Sequence, residues 1–165
     1  MGKVTGRERT LPTLVSVVLP CRNVAETIED QLRSLSLSDY RGAWEVIVVD
    51  NCSTDSTAAQ AERWSKHLPL RVISATGAAG INTARNAGAK EARGELLLFC
   101  DGDDEVATDW VQTLTTAALG YDLVGGRLDE VRLNRGRGPR RPSHPIGQLP
   151  VAGNYLPFEI GRAHV

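Results

Sequence analysis

Long hydrophobic runs are missing from this sequence. No apolar stretch approaches the roughly 18 residues that suggest a membrane span. The N-terminal "MGKVTGRERTLPT" is polar and basic and lacks the apolar segment of a secretory signal. A charge imbalance is missing too: 19 Lys and Arg stand against 20 Asp and Glu, a net charge of -1. Nothing global therefore points to nucleic acid or to an anionic membrane as a partner. Cysteine is scarce. Cys21, Cys52 and Cys100 form an odd count, too widely spaced for a zinc knuckle, which argues against a disulfide framework. Each follows an apolar run and reads as a small buried thiol; the alternative is a shared metal or redox role, if strand ends of one sheet bring them together. His67, His144 and His164 are scattered without ligand spacing, and no Ser-His-Asp or Cys-His arrangement stands out. "ATGAAG" lacks the Lys of a P-loop and the spacing of a dinucleotide-binding loop. No internal repeat is evident.

What is present is a regular alternation in 165 residues, enough for one domain with a real core. "LVSVVLP", "WEVIVVD", "LRVISA" and "ELLLFCD" are short aliphatic runs, and "YDLVGGRL" is a weaker fifth. Unbroken runs of this length fit strands covered on both faces. Helical patterns lie between them. In "RNVAETIEDQLRSL", Asn23 and Glu26 have capping-box spacing, and Ile28, Leu32 and Leu35 share a face. "NCSTDSTAAQAERWSK" leads from hydroxyl and carboxylate caps into an Ala-rich helix. "GINTARNAGAKEARG" puts Ala84, Gly88 and Ala92 at four-residue steps, a small face suited to close approach, with Gly94 as the expected C-cap. "TDWVQTLTTAALG" has Val111, Leu114 and Ala118 on one stripe, Thr108 as cap and Gly120 as stop. The fold class is α/β, a mostly parallel sheet with helices on both faces. Ligands of such sheets bind beyond the carboxyl ends of the strands.

Those ends collect the polar chemistry. "LLLFCDGDDE", Leu96–Glu105, finishes a buried strand in four carboxylates that repel one another unless a positive partner sits among them. Asp101 and Asp103, either side of Gly102, can both reach one Mg²⁺ or Mn²⁺, ions that take one or two carboxylates and complete their shell with water and phosphate oxygens. The alternative is a solvated acidic turn, with Asp104 capping the next segment. Asp50, at the end of "VIVVD", could accept from a base N–H or a ribose hydroxyl, or form an N-cap or Asx-turn. Arg85 is a phosphate or base contact, or a surface partner for a carboxylate. "RLNRGRGPRRPSHP" holds five arginines and reads as a surface loop or an anion-gathering one.

These blocks resemble the family 2 glycosyltransferases of the GT-A fold. "VSVVLPCRN" looks like the first strand and its Pro-x-x-Asn turn. "EVIVVDNCSTDST" looks like the second strand and its turn. "GINTARNAGAKEARGELLLFCDGDD" matches the Ala-Arg-Asn-x-Gly helix and the Asp-x-Asp-Asp strand end. The resemblance spans residues 14–128 and implies a role for each position. Pro20 and Asn23 line the nucleotide pocket. Asp50 contacts the base, usually uracil, and Asn51 belongs to the same nucleotide-sugar-binding set. Arg85 lies against the nucleotide. Asp101 approaches the ribose or the metal, and Asp103 ligates the metal that bridges the diphosphate. The implied activity is metal-dependent, inverting transfer of a sugar from a nucleoside-diphosphate donor, a UDP-sugar, to a hydroxyl of an acceptor glycan or lipid. The rivals are a non-catalytic nucleotide-sugar-binding module and a nucleotidyltransferase or dinucleotide-binding enzyme on a related sheet. Cys52 replaces the usual Gly of the second turn, where φ > 0 is expected.

The resemblance also shapes expectations at the two ends. Residues 1–13 are expected to be a disordered leader, 14–128 the nucleotide-sugar-binding domain, and 129–159 the Arg/Pro-rich loop and the start of the acceptor side. "VAGNYLPFEIG" looks like the approach to the family's acceptor segment. "IGRAHV", residues 160–165, is what the common sequencing adapter ATCGGAAGAGCACACGTC encodes, so a non-native tail is expected there. The catalytic base is expected beyond Val165, which would leave this chain inactive alone. The expected location is cytoplasmic, at the inner face of a membrane if a missing C-terminal part anchors it.

Overall fold

The computed structural model describes residues 10–128, apart from residues 76 and 78, together with residues 162–163. In chain order the elements are β1 Val15–Cys21, α1 Ile28–Ser36, β2 Trp44–Asp50, α2 Thr57–Arg63, β3 Leu70–Ser74, α3 Ile81–Glu91, β4 Leu96–Phe99 and α4 Trp110–Ala117, then the short strands β5 Arg127–Leu128 and β6 Arg162–Ala163. A 3-10 turn, Trp64–Lys66, extends α2. The main sheet is parallel with strand order β3-β2-β1-β4. β5 and β6 pair separately, in parallel.

Strand alternation sorts the core into two layers. Val15, Val17, Leu19, Val46 and Val48 face a layer built with Ile28, Leu32 and Leu35 of α1, Ala61 of α2, and Val111 and Leu114 of α4. Val18, Ile47 and Val49 face the other way, toward Ala84 of α3. That is why β1 and β2 are aliphatic without a polar alternation: both faces are covered. Gly88 explains how close α3 lies. A Cβ there would stand 2.3 Å from Val18 Cγ1 and 2.9 Å from Val49 Cγ2. β4 is less covered, and Phe99 is 41% exposed.

Several local expectations are corrected. The Asn23–Glu26 capping box does not form. α1 begins at Ile28 after Thr27, and Asn23 sits at φ 53° with its side chain turned to another loop. α3 ends at Glu91 with Ala92 as its C-cap. Gly94 instead packs on β1, where a Cβ would come within 2.6 Å of Ser16 N and 2.8 Å of Leu14 O. Asp109, not Thr108, precedes α4, and the fifth strand is confined to Arg127–Leu128.

The amino ends of the strands carry a polar cluster that no sequence pattern announced. Glu45, 8% exposed, accepts from Ser16 Oγ at 2.8 Å, from Arg93 N–H at 2.8 Å and from Arg71 Nε at 3.4 Å. Burial acts to raise its pKa, but these donors outweigh it and hold the carboxyl below its usual range. Thr13 donates its N–H and its hydroxyl to Glu95 at 3.0 and 2.9 Å. No helix among the described residues is long and apolar enough to cross a membrane.

Candidate functional site

Pro20 marks where the sheet opens. Along β1, the Val15 N–H and the Cys21 C=O face β2 and bond to Ala43 and Asn51, which flank it. The Val18 C=O faces β4 and accepts from Cys100 N–H at 3.3 Å. Pro20 therefore turns its nitrogen toward β4. The β1–β4 register stops at Val18–Phe99, so the absent donor removes no ladder bond. The β1–β2 register runs on to Cys21–Asp50. The gap lies where the strand order reverses, between β1 and β4, the place where parallel sheets hold their ligands.

The acidic turn stands at this gap. Gly102 is buried against β1; a Cβ there would lie 2.5 Å from Cys21 Sγ and 3.2 Å from Val24 Cγ2. Asp101 is partly exposed and Asp103 exposed. Asp104 caps its own turn rather than the next segment: its Oδ2 accepts from Asp101 N–H and its N–H donates to Asp101 C=O, both at 3.2 Å. Burial, with the charges of Asp101 and Asp103, pushes its pKa up to about 6 against the lowering effect of that hydrogen bond. Burial and then the charges of Asp50, Asp103 and Asp101 push the Cys21 thiol up to about 12. One buried thiol thus senses all three carboxylates.

The positive partner is Arg85. It projects from α3, and its Nη2 donates to Asp101 Oδ1 at 2.9 Å. Four buried side-chain polar atoms lack a hydrogen-bond partner among the described residues, and three lie at this edge: Asp50 Oδ1, Asn51 Nδ2 and Arg85 Nε. Asn51, 2% exposed, accepts from Gly80 N–H at 2.6 Å, which ties the end of β2 to the start of α3. Unsatisfied buried polar atoms are costly and uncommon away from functional sites.

The loops after β1 and β2 are bound together. Asn23 N–H donates to Ser53 Oγ at 3.0 Å, and Asn23 Oδ1 accepts from Thr54 N–H at 2.8 Å. Val24 N–H donates to Thr57 Oγ1 at 2.9 Å, and Ala25 N–H to Asp55 Oδ2 at 3.1 Å. Asp55 also accepts from the hydroxyl and N–H of Thr57, and these bonds, the hydroxyl's first, hold its pKa below the usual value. The carboxylate read as a cap in "NCSTDST" is Asp55, at the start of α2; the spacing did not show that Asp55 and Thr57 also bind the N–H groups of Ala25 and Val24 in the loop after β1.

The thiols do not share one environment. Cys21 and Cys100 are buried and free, but Cys52 is exposed, at φ 61°, which corrects the expectation of three buried thiols. Among the described residues no three His, Cys, Asp or Glu side chains are grouped to hold a metal. Asp101 and Asp103 fit a different case: two oxygen donors beside orphaned polar atoms, suited to an ion that completes its shell with phosphate oxygens and water. His67 packs edge-on against Trp64 at 5.7 Å. His144, His164, the Arg-rich loop and all of "VAGNYLPFEIG" lie outside the described residues. A cavity of 1210 Å³ flanks β4 and α4, lined by Leu97, Phe99, Trp110 and Leu123 among others; it meets the acidic turn at Cys100, Asp104 and Glu105 but does not lie over the gap.

Comparison with known proteins agrees with this arrangement. A family model described as Glycosyl transferase family 2 matches residues 16–162. Glycosyltransferase AglE of Haloferax volcanii is 35% identical over 136 residues, covering 80% of this chain and 44% of AglE. The structure of Staphylococcus aureus TarS in complex with UDP-GlcNAc superposes with a TM-score of 0.61 at 30% identity, over 75% of this chain and 36% of that one. The mannosyltransferase PcManGT of Pyrobaculum calidifontis, in complex with GDP-Man and Mn²⁺, superposes with a TM-score of 0.58 at 32% identity, over 70% and 34% of the two chains. The chain thus spans less than half the length of these relatives.

Proposed function

The chain belongs to glycosyl transferase family 2 and has the GT-A fold, and from that premise we propose that its sheet edge holds the donor for a metal-dependent, inverting transfer from a nucleoside-diphosphate sugar, a UDP-sugar, to an acceptor hydroxyl. The observation that carries this reading is the convergence at the β1–β4 gap. Asp101, paired with Arg85, and the exposed Asp103 stand there, at the same sheet edge as the orphaned atoms of Asp50, Asn51 and Arg85. The complexes of TarS with UDP-GlcNAc and of PcManGT with GDP-Man and Mn²⁺ support it.

Each residue has a distinct part. Asp50 accepts from the base and Asn51 offers the neighbouring donor. Arg85 moves from Asp101 toward the anionic nucleotide. Asn23, fixed on Ser53 and Thr54, shapes the nucleotide pocket, and Pro20 keeps the gap open on the β4 side. Asp101 meets the ribose or the metal. Asp101 and Asp103 would hold Mg²⁺ or Mn²⁺, which when bound offsets negative charge on the departing diphosphate. Taking the proton from the acceptor hydroxyl requires a carboxylate base, a part that no described residue is proposed to play, and none is proposed to recognise the glycan or lipid acceptor. The chain alone then binds donor without turning it over. The proposed location is cytoplasmic.

A thermal-stability screen tests the reading. UDP should raise the midpoint of the wild-type chain in the presence of Mn²⁺, NAD should not, and Asp50→Ala should abolish the UDP effect. Equal stabilisation by NAD with no influence of metal would contradict it.

A further inference from the structure

α1 buries Ile28, Gln31, Leu32 and Leu35. Gln31 is the odd member of that face, a polar side chain with 0% exposure. Its Nε2 donates to Cys100 Sγ at 3.0 Å. Ser34, one helical turn later, places Oγ 2.8 Å from Gln31 C=O and 3.1 Å from Gln31 Oε1. The same oxygen accepts from Val106 N–H at 3.0 Å. Cys100 and Val106 are the residues on either side of the acidic turn, Asp101–Glu105. One turn of α1 therefore grips both ends of that turn, while Gly102 in its middle rests on Cys21. A buried amide costs desolvation that an aliphatic side chain would avoid. Here it fixes the separation between the two ends of a loop crowded with carboxylates that would otherwise spread apart.

We propose that Gln31 and Ser34 are positioning residues for the donor site: they hold the Asp101–Asp103 turn in the shape that receives the metal and diphosphate, without touching either. The inference rests on the donor-site reading above. Partners that orient metal ligands from behind typically contribute 10–100-fold to metal affinity.

The test uses Gln31→Met, Ser34→Ala and Cys100→Ser, with UDP titrated with and without Mn²⁺ and with amide exchange followed at Val106. Gln31→Met and Ser34→Ala should leave metal-free UDP affinity unchanged. They should reduce the extra affinity conferred by Mn²⁺ by about ten-fold and speed exchange at Val106. Cys100→Ser keeps an acceptor for Gln31 and should retain the Mn²⁺ effect. Folded variants of both residues with the full wild-type Mn²⁺ effect would overturn the inference; Ser34→Ala, the milder change, carries the test if Gln31→Met does not fold. A wild-type chain with no Mn²⁺ effect would instead contradict the donor-site reading, and the inference would fall with it.

Discussion

Arg85 Nη2 and Asp101 Oδ1 meet at 2.9 Å across the mouth of the sheet, one side chain from α3 and the other from the end of β4. Their side chains are 39% and 41% exposed. An ion pair that open to water adds less than about 1 kcal/mol to stability. Its value lies in placing a guanidinium among carboxylates at a proposed anion site.

Arg85→Met should therefore separate stability from binding. Denaturant unfolding should change by under about 1 kcal/mol. UDP affinity, measured by calorimetry, should fall by about ten-fold or more, as expected for a lost charge-assisted hydrogen bond. A large stability loss with unchanged UDP affinity would make the pair structural.

Asp104 gives a pH signature. Its pKa is raised to about 6, chiefly by burial, so the folded state binds its proton more tightly than the unfolded chain does. The stabilising contribution of the protonated form is complete below the ordinary aspartate value and is lost as pH rises through about 6. In metal-free protein, Asp104→Asn should remove this loss and unfold at higher temperature than wild type above pH 6. Melting curves from pH 4 to 8 check it, and parallel curves for the two proteins would refute it.

Gly94 and Gly88 should each resist substitution by alanine. A Cβ on Gly94 meets the Ser16 and Leu14 backbone, and one on Gly88 meets two buried valines. Urea unfolding should show each variant destabilised by about 1–3 kcal/mol.

The thiols should divide by exposure. In the native protein a thiol reagent should modify Cys52 alone, because Cys21 and Cys100 are buried with raised pKa values. All three should react after denaturation. Cys52→Gly relieves the φ of 61° and should stabilise the fold by about 1 kcal/mol.

Much of this was legible in residue order, for physical reasons that differ by element. Aliphatic runs named β1 and β2 because strands covered on both faces need no polar alternation; β3 and β4 carry the same kind of run although, at the sheet's edges, they are only partly covered. Ala84 and Gly88 at a four-residue step announced a helix lying close on a sheet. The crowding of carboxylates after Phe99 called for a cation, and Arg85 supplies one. What stayed hidden was pairing at long range. Nothing in the spacing around Glu45 announced that Ser16, Arg71 and Arg93 come together on its carboxylate. Gln31 sat at a helical position that could as well have faced water. Asn23 had capping-box spacing, yet the loop after β2 competed for its side chain through Thr54 and won. Local spacing announces what a segment can do alone; it cannot say which distant loop will satisfy the same oxygen.

The most direct test of the donor site is calorimetric titration of UDP into the chain with and without Mn²⁺, comparing wild type with Asp103→Ala. Mn²⁺ should tighten UDP binding to wild type, and Asp103→Ala should lose this effect while remaining folded. Equal UDP affinity with and without metal in the wild-type chain, or an undiminished Mn²⁺ effect in Asp103→Ala, would contradict the donor-site reading.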